Sequence, residues 1–152
     1  MRILVVSDSH ERVSLLEQAI AAQPTAKQLF FLGDGTADIE TAAALFPTLP
    51  IFKVRGNCDF YADAPEEGLE TLGGKRFFFT HGHRYAVRLE DAVLAQAAAA
   101  HHADIVLYGH THVPVHRFEN GIHYFNPGAL RDGRYGVIDL EENGTAFLHM
   151  KI

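Results

Sequence analysis

The sequence is poor in cysteine and has no long apolar run, and both absences narrow the class of protein. The single cysteine, Cys58, excludes an internal disulfide. The longest stretch of low polarity, residues 92–100, is alanine-rich and interrupted by Gln96. It is well short of the ~18 apolar residues that indicate a membrane span. The first residues lead directly into a strand-like run, which is not typical of a cleavable signal peptide. These observations predict a cytoplasmic protein without a membrane segment.

Positive charge is also scarce. The chain has 13 Lys and Arg residues against 19 Asp and Glu residues, and its formal net charge is −6. A domain of this sign is a poor candidate for binding long nucleic acid, because it offers few cations to neutralise the phosphates. An acidic protein can still bind a small phosphate ester where divalent metal ions supply the local positive charge. The chain also contains 10 histidines, which are common metal ligands.

Length and composition predict a single domain that spans residues 1–152. A chain of 152 residues lies within the roughly 100–200 residues that one domain usually takes. The hydrophobic fraction of 47% is sufficient for one compact core and argues against disorder. The sequence predicts no particular oligomeric state.

The apolar pattern predicts alternating strands and helices in the first half of the chain. Strands are expected at residues 3–6, 27–32 and 51–54, with helices at residues 11–23 and 38–46 between them. This order favours a parallel sheet. The second half is expected to be largely antiparallel, because two Glu-Asn-Gly segments, at residues 119–121 and 142–144, are typical of hairpin turns. Its predicted elements are strands at residues 69–72, 75–79, 105–108, 115–118, 122–125, 135–140 and 145–150, and a helix at 89–101.

Five of the apolar runs end in residues that can bind metal ions. These strand-terminal residues are Asp8 and His10, Asp34, Asn57, His81 and His83, and His110 and His112. In an open parallel sheet, functional residues gather at the carboxyl ends of the strands, so the side chains are expected to converge. Asp8 and His10 are two positions apart, and in an extended backbone such residues point to the same side. A glycine beside nearly every group allows a sharp turn at the strand end.

A simpler interpretation exists for each residue taken alone. The aspartates and the asparagine could cap helices or form turns, with Asp8 or Ser9 as the N-cap of the following helix, and the histidines could be hydrogen-bonded core residues. The joint pattern favours metal binding instead. Two aspartates, one asparagine and four histidines exceed the ligands of one tetrahedral zinc, and they suit two divalent ions that share a carboxylate.

Taken in order, these motifs resemble those of the calcineurin-like metallophosphoesterases. The matching segments are Asp8-Ser9-His10, Gly33-Asp34, Gly56-Asn57-Cys58-Asp59, Thr80-His81-Gly82-His83, Gly109-His110-Thr111-His112 and Asn126-Pro127-Gly128. The chain is most similar to the small bacterial phosphodiesterase branch, which is related to the vacuolar-sorting subunit of the eukaryotic retromer coat. The resemblance covers essentially the whole chain. It implies an α/β fold, an αββα sandwich of two mixed β-sheets flanked by helices.

The resemblance also implies a role for each donor. One metal ion would be held by Asp8, His10 and His112, the second by Asn57, His81 and His110, and Asp34 would bridge the two. A hydroxide between the ions would attack the phosphorus of a small phosphate ester. Manganese is the expected metal, with nickel, zinc or iron as alternatives.

The chain departs from the wider superfamily at two positions. Cys58 follows the asparagine where many members have a histidine, proposed as the proton donor to the leaving group. A neutral thiol is poorly matched to that work at pH 7, so activated esters or diesters are expected as substrates. Ala129 stands where a serine often follows the glycine of the Asn-Pro-Gly segment, which removes one phosphate-contacting hydroxyl.

Cys58 and His83 are the candidate contacts with the substrate. His83 is interpreted either as such a contact or as a hydrogen-bond partner of a ligand. Cys58 is expected to be a small buried residue beside the site rather than a nucleophile. Asp59 is expected to cap or orient its own loop.

Two alternative functions stay open. The first is a non-catalytic protein-interaction scaffold, as in the retromer relative, which has lost part of the ligand set that this chain retains. The second is a phosphomonoesterase that uses the same site. The complete set of seven donors favours a two-metal phosphodiesterase.

Overall fold

The chain forms ten strands and three α-helices, described over residues 1–152 in a computed structural model. The strands are β1 (Arg2–Val6), β2 (Ala26–Phe31), β3 (Ile51–Lys53), β4 (Glu67–Leu72), β5 (Lys75–Thr80), β6 (Ile105–Leu107), β7 (Val115–Glu119), β8 (Ile122–Asn126), β9 (Arg134–Glu141) and β10 (Gly144–Lys151). The helices are α1 (Val13–Ala21), α2 (Thr36–Ala43) and α3 (Ala92–Ala100). Each helix has only eight or nine residues, whereas a bilayer crossing needs about 20.

The strands form two mixed sheets of five strands each. The first sheet has the order β10-β9-β1-β2-β3, parallel across β1, β2 and β3 and antiparallel on the β9 side. The second has the order β4-β5-β6-β8-β7, parallel across β5, β6 and β8 and antiparallel at both edges. The parallel β1-β2-β3 arrangement and the two predicted hairpins are confirmed. The second half is antiparallel at its hairpins, but β6 pairs in parallel with both of its neighbours.

Three apolar clusters separate the layers of the molecule. The central cluster lies between the two sheets and includes Phe30 and Phe77. A second cluster, which includes Leu4, packs the outer face of the first sheet against α1 and α2. A third, which includes Phe78, packs the second sheet against α3. The protein is therefore the αββα sandwich that the family resemblance implied.

Coverage of the sheets on both faces explains the continuous apolar runs in the sequence. All four residues from Ile3 to Val6 are fully buried, because alternate side chains enter the central cluster and the helix-facing cluster. The edge strand β4 instead alternates exposed and half-buried residues. The predicted helix at residues 11–23 is shorter in the structure. It begins after Arg12, and neither Asp8 nor Ser9 caps it, so that alternative is wrong.

Candidate metal centre

The seven predicted donors lie together where strands of both sheets end. Asp8 and His10 follow β1, and Asp34 and Asn57 follow β2 and β3 of the same sheet. The second sheet supplies the remaining histidines, with His81 after β5 and His110 and His112 after β6. All five strands present their carboxyl ends to one cleft, which is the common location of sites in parallel sheets.

One group of donors consists of Asp8, His10 and His112. The Nε2 atom of His112 is 3.0 Å from Oδ1 of Asp8, and Nε2 of His10 is 3.6 Å from the same oxygen. The three ligand atoms all lie within 4.8 Å of one another. This spacing allows one ion to contact all three.

The second group is arranged around the buried ring of His81. Its Nε2 atom is 3.3 Å from Oδ2 of Asp34, 3.2 Å from Nδ1 of His110 and 3.2 Å from Oδ1 of Asn57. The ligand atoms of Asp34, His81 and His110 also lie within 4.8 Å of one another. A second ion could therefore be held beside the first.

Asp34 lies between the two groups. Its Oδ2 atom is 3.3 Å from His81 Nε2 and 3.8 Å from His10 Nε2, and so it faces one histidine of each group. The groups are also close to each other directly, since His81 Nε2 is 4.0 Å from Oδ1 of Asp8. This is the position that a bridging carboxylate requires.

The backbone at the donors is unusual, and it corrects one step of the sequence reasoning. Five of the seven donors have positive φ angles: Asp8 at 56°, His10 at 43°, Asp34 at 57°, His110 at 66° and His112 at 62°. Asp8 and His10 converge because of this left-handed conformation, and not because they lie in an extended strand. Such conformations cost about 1–3 kcal/mol each and tend to cluster at functional sites.

Hydrogen bonds with backbone groups and with Ser7 orient two of the donors, Asp8 and His81. Asp8 Oδ2 accepts hydrogen bonds from Ser7 Oγ at 2.6 Å and from the His110 backbone N–H at 3.1 Å, so Oδ1 faces the cleft. The Nδ1 atom of His81 lies 2.7 Å from the carbonyl oxygen of Leu32. A carbonyl can only accept, so Nδ1 carries a proton, and Nε2 is the ring atom that is directed at the other donors.

Asp59 joins the loops that carry Asp34 and Asn57. Its carboxylate accepts hydrogen bonds of 2.7–2.9 Å from the backbone N–H groups of Asp34, Gly35, Thr36 and Gly56. Partial burial alone would raise the pKa of this carboxyl, but the four N–H donors outweigh it and lower the pKa. The prediction that Asp59 orients its loop is confirmed.

The two buried carboxylates of the site have no Lys or Arg partner. Asp8 and Asp34 are buried, and their ion-pair partners are all histidines. Burial lowers the pKa of His81, but the hydrogen bond that its ring donates to the Asp34 carboxylate and the charges of both carboxylates outweigh burial and raise the pKa. The pKa of His110 falls to about 4, through burial first and then through the neighbouring His81. Two buried carboxylates therefore draw positive charge into the cleft.

The donors fit divalent metal ions in their chemistry. The Nε2 atom of His10 is buried and has no hydrogen-bond partner, although it lies in a polar site. Carboxylate oxygens, an amide oxygen and imidazole nitrogens together suit manganese, iron, nickel or zinc better than calcium. Bound cations would satisfy both the orphaned nitrogen and the uncompensated carboxylates.

The two candidate substrate contacts lie at different places. Cys58 is exposed, so the expectation that it is buried is wrong. Its backbone N–H donates a hydrogen bond of 2.8 Å to Asp34 Oδ1, and this bond holds Cys58 at the cleft. Desolvation and the Asp34 charge raise the pKa of the Cys58 thiol. His83 lies in a short 3₁₀ turn, with its ring centroid 5.4 Å from that of His81 and 6.1 Å from that of His110.

Sequence reasoning missed the supporting role of Asp38 and the side-chain role of Asn126. Asp38 is buried and accepts hydrogen bonds from Ser9 Oγ at 2.5 Å and from the Glu11 backbone N–H at 2.9 Å. The amide of Asn126 donates to the Gly109 carbonyl at 2.9 Å, next to His110. Asp38 gave no local signal, because an acidic residue in the first turn of a helix is common.

Comparison with known proteins places the chain in a family. The model of the calcineurin-like phosphoesterase superfamily domain matches residues 1–143. The probable metallophosphoesterase YsnB of Bacillus subtilis is 31% identical, over 95% of this chain and 88% of YsnB. The phosphodiesterase YfcE of Escherichia coli is 29% identical, over 91% of this chain and 88% of YfcE.

Solved structures share the fold. A predicted phosphoesterase from Streptococcus pneumoniae superimposes with a TM-score of 0.83 at 28% identity, covering 99% of this chain and 88% of the other. Vps29 of Entamoeba histolytica, solved in complex with zinc, has a TM-score of 0.77 at 17% identity and covers 99% of each chain. The second likeness is one of fold alone. The extent of the family match and the identity to YsnB show that the chain belongs to the calcineurin-like phosphoesterase superfamily.

Proposed function

We propose that the protein is a two-metal phosphodiesterase that hydrolyses small phosphate esters. Its family and the names of its relatives support a phosphoesterase in general terms. The observation that carries the finer proposal is the convergence of seven oxygen and nitrogen donors on one cleft. Two of these donors are buried carboxylates, and their ion-pair partners are all histidines. A cytoplasmic location stays a prediction.

The geometry supports an assignment of the donors to two ions. Asp8, His10 and His112 would hold one ion, and His81, His110 and Asn57 would hold the other, with Asp34 between them. Manganese is our first choice because the set mixes hard oxygen with imidazole nitrogen, and nickel, zinc and iron suit the same donors. When bound, a pair of divalent ions supplies a hydroxide nucleophile and neutralises the phosphate oxygens during in-line displacement.

The chain itself contributes preorganisation. Ser7 and the His110 backbone fix the Asp8 carboxylate, and Leu32 fixes the ring of His81. Because these groups are held before the substrate arrives, little reorganisation is needed at the moment of reaction.

The preference for diesters rests on Cys58. A proton donor to the leaving group must release its proton near pH 7, and the raised pKa of this exposed thiol opposes that role. Without an efficient acid, esters whose leaving groups depart as stable anions are favoured. The name of YfcE, a phosphodiesterase, supports the same preference. His83 is the remaining candidate for contact with the departing group.

A metal and substrate panel tests the proposal. Chelator-stripped protein is assayed with manganese, nickel, zinc or iron on bis(p-nitrophenyl) phosphate and on p-nitrophenyl phosphate. We expect reversible, metal-dependent turnover that is faster on the diester, and we expect Asp34→Asn or His112→Ala to abolish it. Glu142→Gln removes one negative charge from an exposed hairpin turn and is the matched control.

The outcomes separate the alternatives. Undiminished activity of the stripped protein would refute metal dependence. A strong preference for the monoester would favour a phosphomonoesterase. No turnover with any metal, together with a stoichiometric protein partner in a pull-down, would favour the interaction scaffold.

A further inference from the structure

A cavity of about 660 Å³ adjoins the candidate metal centre. It lies between α2 and the loop of residues 58–63. Its lining includes the candidate ligands His10 and Asp34 and, nearer the solvent, Glu11 and Asp63. The volume falls in the range of small-molecule sites. Because the cavity is continuous with the donors, a group attached to a phosphate at the metal centre can enter it.

The lining of this cavity is negatively charged and contains no Lys or Arg. Asp38 and Asp59 are committed to hydrogen bonds with the backbone, and Glu40 pairs with Lys53. Glu11 and Asp63 are exposed, and their carboxylates make no hydrogen bond or ion pair. An anionic group would be repelled here, whereas a cation would find two free carboxylates.

Two aromatic side chains complete the lining. Phe60 is 79% exposed and Tyr61 is fully exposed, an uncommon state for two consecutive large rings. They directly follow Asp59, whose hydrogen bonds to Asp34 and Gly56 fix the start of this loop. Aromatic faces next to carboxylates are the chemistry that recognises alkylammonium groups, through cation–π contact and charge.

We propose that this cavity, the acidic-aromatic cavity, binds an alkylammonium group, and that the preferred substrates are phosphodiesters of a cationic amino alcohol. The proposal rests on the phosphodiesterase function proposed above. In the reaction, the oxygen of water bonds to phosphorus and the bond from phosphorus to the leaving-group oxygen breaks. The leaving group departs as its anion, one proton of the water stays on the phosphate monoester and the other passes to solvent. The ammonium group remains in the cavity and is not chemically changed.

A matched pair of substrates tests the charge directly. The first is p-nitrophenyl phosphorylcholine, and the second is p-nitrophenyl 3,3-dimethylbutyl phosphate, in which a tert-butyl group replaces trimethylammonium. The manganese-loaded protein should show a kcat/KM about tenfold higher for the cationic ester, from one cation–π contact and two exposed charge pairs. This ratio should fall as salt is added, because exposed charges are screened.

Variants locate the effect in the cavity. The double variant Glu11→Gln/Asp63→Asn should bring the ratio of the two substrates close to one, and Tyr61→Leu should lower it. Glu142→Gln, which removes a carboxylate far along the chain from the cavity residues, should keep the wild-type ratio. Because each ratio compares two substrates of the same variant, a general loss of folded protein cancels.

The failure of this proposal is distinct from failure of the proposed function. Equal turnover of both esters by the wild-type protein would overturn the proposal and leave the phosphodiesterase intact. If neither ester is turned over with any metal, the phosphodiesterase fails. Titration calorimetry with choline then decides about the cavity: binding that Glu11→Gln/Asp63→Asn abolishes supports the cation site, and no binding overturns it.

Discussion

Replacing Asp59 by asparagine should weaken metal binding although Asp59 is not itself a predicted metal ligand. The carboxylate joins two loops: Oδ2 accepts the N–H groups of Asp34 and Gly56, and Oδ1 accepts those of Gly35 and Thr36. Asparagine keeps one oxygen and turns an NH₂ group toward two N–H donors. One pair of donors therefore loses its acceptor and faces another donor.

The magnitude follows from the number of bonds lost. A buried donor left without an acceptor costs about 1–3 kcal/mol, so two such donors cost about 2–6 kcal/mol. Since Asp59 is only partly buried, water can reach some of these groups, and we expect a loss of about 2–4 kcal/mol. The loop carrying Asn57 should move with Gly56, so metal affinity should fall as well.

Urea unfolding and manganese titration check both effects. We expect Asp59→Asn to lower the free energy of unfolding by the stated amount with an unchanged denaturant slope, and to weaken manganese binding. Glu142→Gln, an exposed loss of the same charge, should change stability by less than about 0.5 kcal/mol. An Asp59→Asn protein as stable as this control would show that the hydrogen bonds do not hold the loops together.

Three further substitutions test other parts of the structure. Asp139 accepts two hydrogen bonds from Arg2, of 2.9 and 2.7 Å, and this pairing lowers the pKa of the Asp139 carboxyl. Asp139→Asn breaks the ion pair and should lower the free energy of unfolding by about 1 kcal/mol at pH 7, as measured by urea unfolding. Because the folded pKa lies below the unfolded value of about 3.9, that difference should shrink as the pH falls below about 4 and vanish once the pH is below the folded pKa. Gly56→Ala would place Cβ 2.1 Å from Asp34 Oδ1, so manganese binding should be lost. Phe30→Ala should cost about 3–5 kcal/mol by urea unfolding, because it empties the core between the sheets.

Each of these has a control and a contradicting result. A stability difference for Asp139→Asn that does not shrink as the pH falls from about 5 to about 2 would rule out the ion pair as its cause. Gly74→Ala, where no atom lies within 4 Å of the new Cβ, should bind manganese normally, and equal loss in both variants would contradict the steric argument. Phe118 is 63% exposed, and Phe118→Ala should cost about 1 kcal/mol or less.

The sequence determined the elements and the identity of the donors. Strands covered on both faces appear as unbroken apolar runs, which is why β1 and β2 were predicted close to their observed bounds. The polar residues directly after such runs lie at strand ends by necessity. The order and spacing of those residues then carried the resemblance to the family, which was confirmed.

Only the tertiary structure decided how these parts meet. β1 pairs with β9, more than 120 residues away, and the second sheet brings His81 and His110 to Asp34. The left-handed backbone at the donors, the bonds from Asp59 to residues 34–36 and the acidic-aromatic cavity have no local signature. They arise from contacts between segments distant in the chain, and a pattern of neighbouring residues carries no information about such contacts.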